Sequence, residues 1–158
     1  MPFTIQPQEQ DLWCWAAVAA SIDDYFAPGA SKTQSDVAND VLRRTDCTAE
    51  NRACNMLATL QDALQKVKRL NGFVTRPLTF KEVQEQIDNK LPVCVRIGWF
   101  EGGGHFVVIS GYSISESGTE MVTIRDPWYI DSVLTFEEFG SAYLLGEGSW
   151  TDSFRVKK

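Results

Sequence analysis

Residues 8–17 read Gln8-Glu9-Gln10-Asp11-Leu12-Trp13-Cys14-Trp15-Ala16-Ala17 and place a cysteine between two tryptophans at the start of a helical pattern. Asp11 serves as the expected N-cap, which sets Cys14 in the first turn of a helix running to about Phe26. Trp13, Ala16, Ala17, Ala20 and Ile22 recur at helical spacing, and the small alanines let this helix pass close to its neighbours in the centre of the fold. Pro28-Gly29 ends it. Nucleophilic chemistry at sulfur needs the thiolate, and a helix N-terminus favours it through unpaired amides and the helix dipole. Cys14 therefore reads as a nucleophile, against the alternative of a buried structural cysteine. Gln8 stands six residues upstream and, with the Cys14 backbone N–H, is the candidate donor to an oxyanion. Gln10 competes for that role but lies only four residues away, and Gln6 lies further out.

Outward from this stretch, residues 2–10 read as an extended arm rich in proline and glutamine. Ser31 to Gln34 has capping-box spacing, predicting a second helix over about Thr33–Arg43. Residues 45–55 are polar and irregular. A third helix is expected from about Met56 to Leu70, with Leu57, Leu60, Leu64 and Val67 on one face and Asn71-Gly72 as its C-cap. Thr79 with Glu82 caps a fourth over about Phe80–Asn89. At Leu91-Pro92 the period changes: Val93, Val95, Ile97 and Trp99 alternate as in a strand. Strands follow at His105–Tyr112, about Glu120–Arg125 and Ser132–Leu134. Thr135 with Glu138 caps a short helix, and Phe154-Arg155-Val156 closes the sheet. Helices first and antiparallel strands second define an α+β fold. The chain reads as one domain, 1–158, with a helical lobe over about 1–90 and a β lobe over about 91–158 around one cleft.

A nucleophilic cysteine needs a base, and the chain has one histidine, His105. It opens a strand directly after Gly102-Gly103-Gly104, which would leave the ring at the cleft mouth and let a substrate backbone come close. Taken alone, a lone histidine is more often a surface or core residue. Asp126 ends the next strand and could fix the imidazole tautomer, while an Asp-Pro pair is equally a turn former. Trp128 could shield that pair from water or simply fill core. Gly103, Gly104, Trp128 and the two tryptophans flanking the nucleophile, Trp13 and Trp15, are assigned to substrate binding.

Composition removes other classes. A length of 158 residues suits one domain with a substantial core. No apolar run approaches the roughly 18 residues of a membrane helix, so a soluble domain with no membrane partner is expected. A formal net charge of −6 argues against nucleic acid. Lys66, Lys68 and Arg69 form a small basic cluster that reads as a solvated helix end. Four cysteines are too few for a disulfide scaffold at this size. Cys47 and Cys54 could pair in an oxidising compartment, and Cys94 reads as core. No zinc spacing is present, and neither metal nor cofactor is expected. Residues 1–7 show no basic segment followed by an apolar one, hence no conventional signal peptide. The expected locations are the bacterial cytoplasm or, by a specialised secretion system, a target cell; the chain could also be part of a longer one.

Gln8 ahead of Cys14-Trp15, then Gly104-His105-Phe106, then Asp126-Pro127-Trp128 resembles the papain-like cysteine peptidases. The likeness is to their small bacterial branch of double-glycine leader peptidases and effector proteases, and it covers nearly the whole chain. The papain-type Cys-Gly-Ser-Cys-Trp segment is absent, and an aspartate replaces the usual asparagine. Cys14 and His105 lie 91 residues apart, against about 130–150 in papains and cathepsins. The resemblance implies a nucleophile helix packed on an antiparallel sheet or half-barrel. It also implies a Cys14–His105–Asp126 endopeptidase with an oxyanion donor at Gln8, acting on protein or peptide. Cleavage after small residues such as Gly-Gly and a role as a secreted effector or toxin belong to the same resemblance. So does a cognate immunity or inhibitor protein that blocks the cleft. The alternatives are an acyltransferase or amidase using the same triad, such as a transglutaminase-like enzyme or cell-wall amidase, and an inactive papain-fold binding module.

Overall fold

A computed structural model describes residues 1–158. Helix α1 (Cys14–Phe26) is followed by α2 (Gln34–Leu42), a 3-10 turn at Arg52–Cys54 and α3 (Leu60–Lys66). Strand β1 (Leu70–Val74) and helix α4 (Phe80–Asp88) lead into β2 (Val93–Trp99), β3 (Gly104–Ile114), β4 (Glu120–Arg125) and β5 (Ser132–Thr135). Helix α5 (Phe136–Ser141), the single turn α6 (Tyr143–Gly146) and β6 (Gly148–Val156) complete the chain. The strands form one antiparallel sheet in the order β1-β6-β2-β3-β4-β5.

The sheet is buried on both faces, and strand periodicity explains how. Cys94, Val108, Phe154 and Val156 point to one side, where they join Trp13, Trp15, Val18, Ala19 and Ile22 of the α1 region with Leu60 and Leu64 of α3. Val93, Val95, Ile97, Val107, Ile109, Val122 and Ile124 point to the other, where Val83 and Ile87 of α4, Phe139 of α5 and Trp150 cover them. Alternate residues of one strand thus feed two cores, which is why β2 and β3 read as nearly continuous apolar runs. Helix α1 is buried along Cys14–Asp23. Its alanines let it lie against α2, α3 and β3 at once.

The α+β class holds: helices pack against one antiparallel sheet. Four local expectations are corrected. The third helix is one short stretch, Leu60–Lys66, and Asn71-Gly72 is not its C-cap but part of β1, which pairs with β6. The helical lobe therefore contributes a strand to the sheet, because Leu70 and Val74 gain a β6 partner from the far end of the chain that local pattern cannot reveal. The box at α2 is Thr33 with Asp36 rather than Ser31 with Gln34; Thr33 accepts from the Asp36 N–H and Asp36 from the Thr33 N–H. The box at Thr79 and Glu82 caps α4 as expected. The last strand begins at Gly148, six residues before the expected Phe154. Arg69, expected at a solvated helix end, instead meets Asp23 at 2.9 Å and lies over the Phe26 ring.

Cys47 and Cys54 form a disulfide, and Cys94 is buried. The loop that the disulfide closes grips the entrance to α1. The Gln10 amide donates to Thr48 O (2.8 Å) and Asn51 O (3.1 Å). The Leu12 N–H donates to Asn55 Oδ1 (2.9 Å), and Arg52 pairs with Asp11 (2.7 Å). Replacing both cysteines, Cys47→Ser with Cys54→Ser, is expected to lower stability by about 2–3 kcal/mol, the size for so short a loop. Urea denaturation under oxidising conditions measures the difference, and wild type under dithiothreitol should fall to the level of the double variant.

Candidate active site

Helix α1 starts at Cys14 itself. The N-cap is Trp13, with no side-chain cap, and not Asp11, whose carboxylate is drawn away to Arg52. The first backbone bond into the helix runs from the Ala17 N–H to Trp13 O at 2.9 Å, so the Cys14 N–H has no acceptor within the protein. An uncapped start leaves orphan amides beside the sulfur, the feature an oxyanion requires. The flanking tryptophans are anchors of this geometry. Trp13 and Trp15 are both fully buried, and their indole N–H groups donate to Cys54 O (2.7 Å) and Met56 O (3.1 Å). Their assignment to substrate binding is therefore corrected: neither has surface to offer a substrate.

Three glutamines separate by environment. Gln10 is buried and spends its amide on the disulfide loop. Gln6 is held at the middle of α1, its N–H donating to Ser21 Oγ (2.9 Å). Gln8 bridges to the opposite side of the site: its backbone N–H donates to Pro127 O at 2.9 Å, tying the arm to the turn after Asp126. The Gln8 side-chain NH₂ donates to Gln10 O (2.9 Å) and Asp11 O (2.8 Å), while its Oε1 is buried without a partner.

His105 is the second residue of β3, opposite Ile97, and β4 runs antiparallel beside it with Arg125 opposite Val108. One residue beyond β4, Asp126 reaches the ring diagonally: His105 Nε2 donates to Asp126 Oδ1 at 2.7 Å. The Cys14 side chain lies near the imidazole and favours its charged form. With Nε2 committed to Asp126, Nδ1 is the ring nitrogen left free for the sulfur. Burial of the ring works against its charge, but the Asp126 and Cys14 hydrogen bonds and charges outweigh that and raise the pKa from its ordinary 6.5 to about 9. For Asp126, burial raises the pKa. The opposing hydrogen bond and charge of His105, with Tyr143 and the Tyr129 amide, win and hold it below the usual carboxylate range. The carboxylate accepts further bonds at Oδ1 from the Trp128 (2.8 Å) and Tyr129 (2.9 Å) amides, and at Oδ2 from the Tyr143 hydroxyl (2.6 Å). Asp126-Pro127 is thus both turn former and imidazole partner.

Sequence reasoning missed three aromatic residues here. Trp99 stacks on the His105 ring, with centroids 6.0 Å apart and planes 14° from parallel. Tyr129 meets the same ring edge-on at 5.7 Å, and Tyr143 lies against Trp99 at 6.3 Å. Trp99 and Tyr129 do the shielding expected of Trp128, whose side chain is half exposed. The alternation that marked Trp99 as a strand residue carried no sign of its partner, because that contact depends on the Ile97–His105 register. Gly103 and Gly104 are exposed beside this wall, and a Cβ on Gly104 would stand 2.9 Å from Ile97 O. Trp99, Glu101, Gly102, Tyr129, Leu144 and Glu147 line a cavity of about 390 Å³ adjoining the imidazole.

This arrangement can hold a thiolate against an imidazolium, deliver the ring proton to a leaving group and offer a free amide to a developing oxyanion. Because the folded pKa of His105 is raised, its contribution to stability is fully present below about 6.5 and is lost as pH rises through about 9. His105 is the single histidine, so NMR of its ring carbons reads this directly: a midpoint near 9 is expected, falling toward 6.5 in Asp126→Asn. Cys14 should react with iodoacetamide near neutral pH well ahead of Cys94, whose thiol burial pushes far above its ordinary range.

Residues 1–143 match the family model described as papain-like cysteine protease AvrRpt2. No curated protein matches the chain. Among solved structures it is similar to the cysteine protease Amb a 11, a major ragweed pollen allergen, in its proform. That match has 14% identity and a TM-score of 0.49, covering 98% of this chain and 62% of that one. With the family model spanning the arm, the helix start and both strands of the site, the chain belongs to the papain-like cysteine protease AvrRpt2 family.

Proposed function

We propose that this chain is a cysteine endopeptidase in which Cys14, His105 and Asp126 form the catalytic triad. The observation that carries the reading is the imidazole held by Asp126 and placed near the thiol at an uncapped helix start. At rest the proton sits on His105 and the charge on Cys14 sulfur. The thiolate attacks the scissile carbonyl carbon, and the carbonyl oxygen takes the electron pair as an oxyanion, which the Cys14 N–H receives. Gln8 supplies the second donor by exchanging its bond to Asp11 O for one to the oxyanion. As the tetrahedral intermediate collapses, His105 Nδ1 gives its proton to the leaving amine and a thioester remains on Cys14. Water then loses a proton to Nδ1 and attacks the thioester, which releases the acid and restores the pair. Asp126 stays ionised throughout and holds the ring in the tautomer that aims Nδ1 at sulfur.

The substrates in this reading are proteins or peptides threaded across the open edge formed by Gly103, Gly104 and Trp128, with small residues at the cleaved bond. The biological setting that fits the family is a bacterial effector exported into a target cell, kept harmless in its producer by an inhibitor that occupies the cleft. No helix is long and apolar enough to cross a membrane.

A peptide library profiled with wild type and Cys14→Ala tests the mechanism: cleavage should fall at least about a thousandfold in the variant. Cleavage by Cys14→Ala at the wild-type rate would refute it. Gln8→Ala should lower kcat by about a hundredfold with KM little changed, since an oxyanion exists only in the transition state. Adding a primary amine to the wild-type reaction separates hydrolysis from acyl transfer, with the free acid as the expected product.

A further inference from the structure

Tyr143 stands outside the triad, yet its hydroxyl has one acceptor in the protein, Asp126 Oδ2, at 2.6 Å. The residue is almost fully buried. A phenylalanine would fill the same space, so packing alone does not account for a hydroxyl in this place. Phe139 meets the ring edge-on at 5.6 Å, and Trp99 stacks on it at 6.3 Å while also stacking on His105. Tyr143, Trp99 and His105 thus form one aromatic pile, with Asp126 bonded to both Tyr143 and His105.

The backbone that carries Tyr143 is strained. Leu144 and Leu145 follow it with φ of 50° and 60°, the left-handed region that L side chains rarely adopt. Leu145 is wholly exposed, so its side chain gains nothing from being there. The chain then returns against β2 at Gly148, where a Cβ would stand 2.6 Å from the Trp99 ring and 2.7 Å from Ile97. Leu144 packs against the core, but the strain at Leu145 has no packing return, which is characteristic of segments that place a functional group.

We propose that Tyr143 is a positioning residue of the active site, its hydroxyl fixing the Asp126 carboxylate toward His105 and keeping it ionised in mildly acidic solution. This role rests on the peptidase reading and acts entirely through Asp126. Burial and the adjacent Asp126 charge push the phenol far above its ordinary range, so it remains a donor wherever the enzyme works. The groups facing Asp126 are His105 from β3, Tyr143 from α6, the Trp128 and Tyr129 amides after Pro127, and Asp131. Asp131 accepts from the Asp126 N–H and is paired with Arg125 at 2.7 Å. Loss of the Tyr143 bond makes the carboxylate easier to protonate. Its charge then disappears at higher pH as the solution is acidified.

The test compares wild type and Tyr143→Phe by the pH profiles of kcat/KM and of Cys14 alkylation by iodoacetamide. In Tyr143→Phe the acid limb of both profiles should move up by about one pH unit, with kcat lowered about tenfold at the optimum. In an Asp126→Asn background the same change should have no further effect. Phe139→Leu, which disturbs the packing of Tyr143 and not its bond, should lower Tm and leave the acid limb in place. Protein labelled with 3-fluorotyrosine, whose more acidic phenols donate more strongly, should show the limb moved down, a reading that does not depend on a variant folding. An unmoved acid limb in folded Tyr143→Phe or in the fluorinated protein, or an equal effect in the Asp126→Asn background, overturns the proposal. Alkylation needs no substrate, so its profile decides the point even if no peptide is cleaved.

Discussion

A carboxylate stays ionised inside a protein only where hydrogen bonds replace its lost water, and Asp126 has such bonds from His105, the Trp128 and Tyr129 amides and the Tyr143 hydroxyl. Hydrogen bonds to a buried charge are each worth roughly 1.5–3 kcal/mol, far more than an exposed ion pair. The sheet, the turn at Pro127 and the strained segment after Tyr143 all end on this one side chain. Its charge is in turn what keeps the His105 proton in place against burial. If Asp126 were left unpaired, the imidazole would lose the partner that sets both its tautomer and its affinity for the proton.

The start of α1 at Cys14 has a complementary support. Nothing caps α1, so the stability that an N-cap would supply is absent where the Cys14 amide is left free. The compensation comes from the flanks. Two buried indoles, the Gln10 amide and the Leu12 amide all bond to the segment from Thr48 to Met56, which the disulfide closes and the Asn51 cap shapes. The helix start is thus held by its surroundings and not by its own first turn. The Gln8–Pro127 backbone bond then joins this half of the site to the Asp126 half.

Much of this was legible in the residues. The single histidine left one choice of base, and the Thr-x-x-Glu boxes at Thr79 and Thr135 mark helix starts where helices begin. The alternation at Val93–Trp99 is a strand whose two faces meet two cores. The misreadings share a cause. Leu70 with Asn71-Gly72 reads as a helix end because Asn-Gly is a good C-cap locally, and only pairing with β6 makes Leu70–Val74 a strand. Asp11 looked like an N-cap because nothing in sequence shows Arg52 beside it, and the tryptophans looked accessible because their neighbours at Cys54 and Met56 are about 40 residues away.

The sequence by itself determined the chemistry available: one imidazole, one cysteine at a helix start, an aspartate one strand away and an amide arm upstream. Residue type and short-range period carry that information, since a thiol and an imidazole are reactive wherever they meet. Only the tertiary structure decided which groups surround them. Trp99 over His105, Tyr143 on Asp126, Gln8 tied to Pro127 and Gln10 diverted to the disulfide loop are contacts between residues distant in the chain. They arise from strand register and helix packing, which depend on the summed burial of two cores and leave no local trace in the order of amino acids.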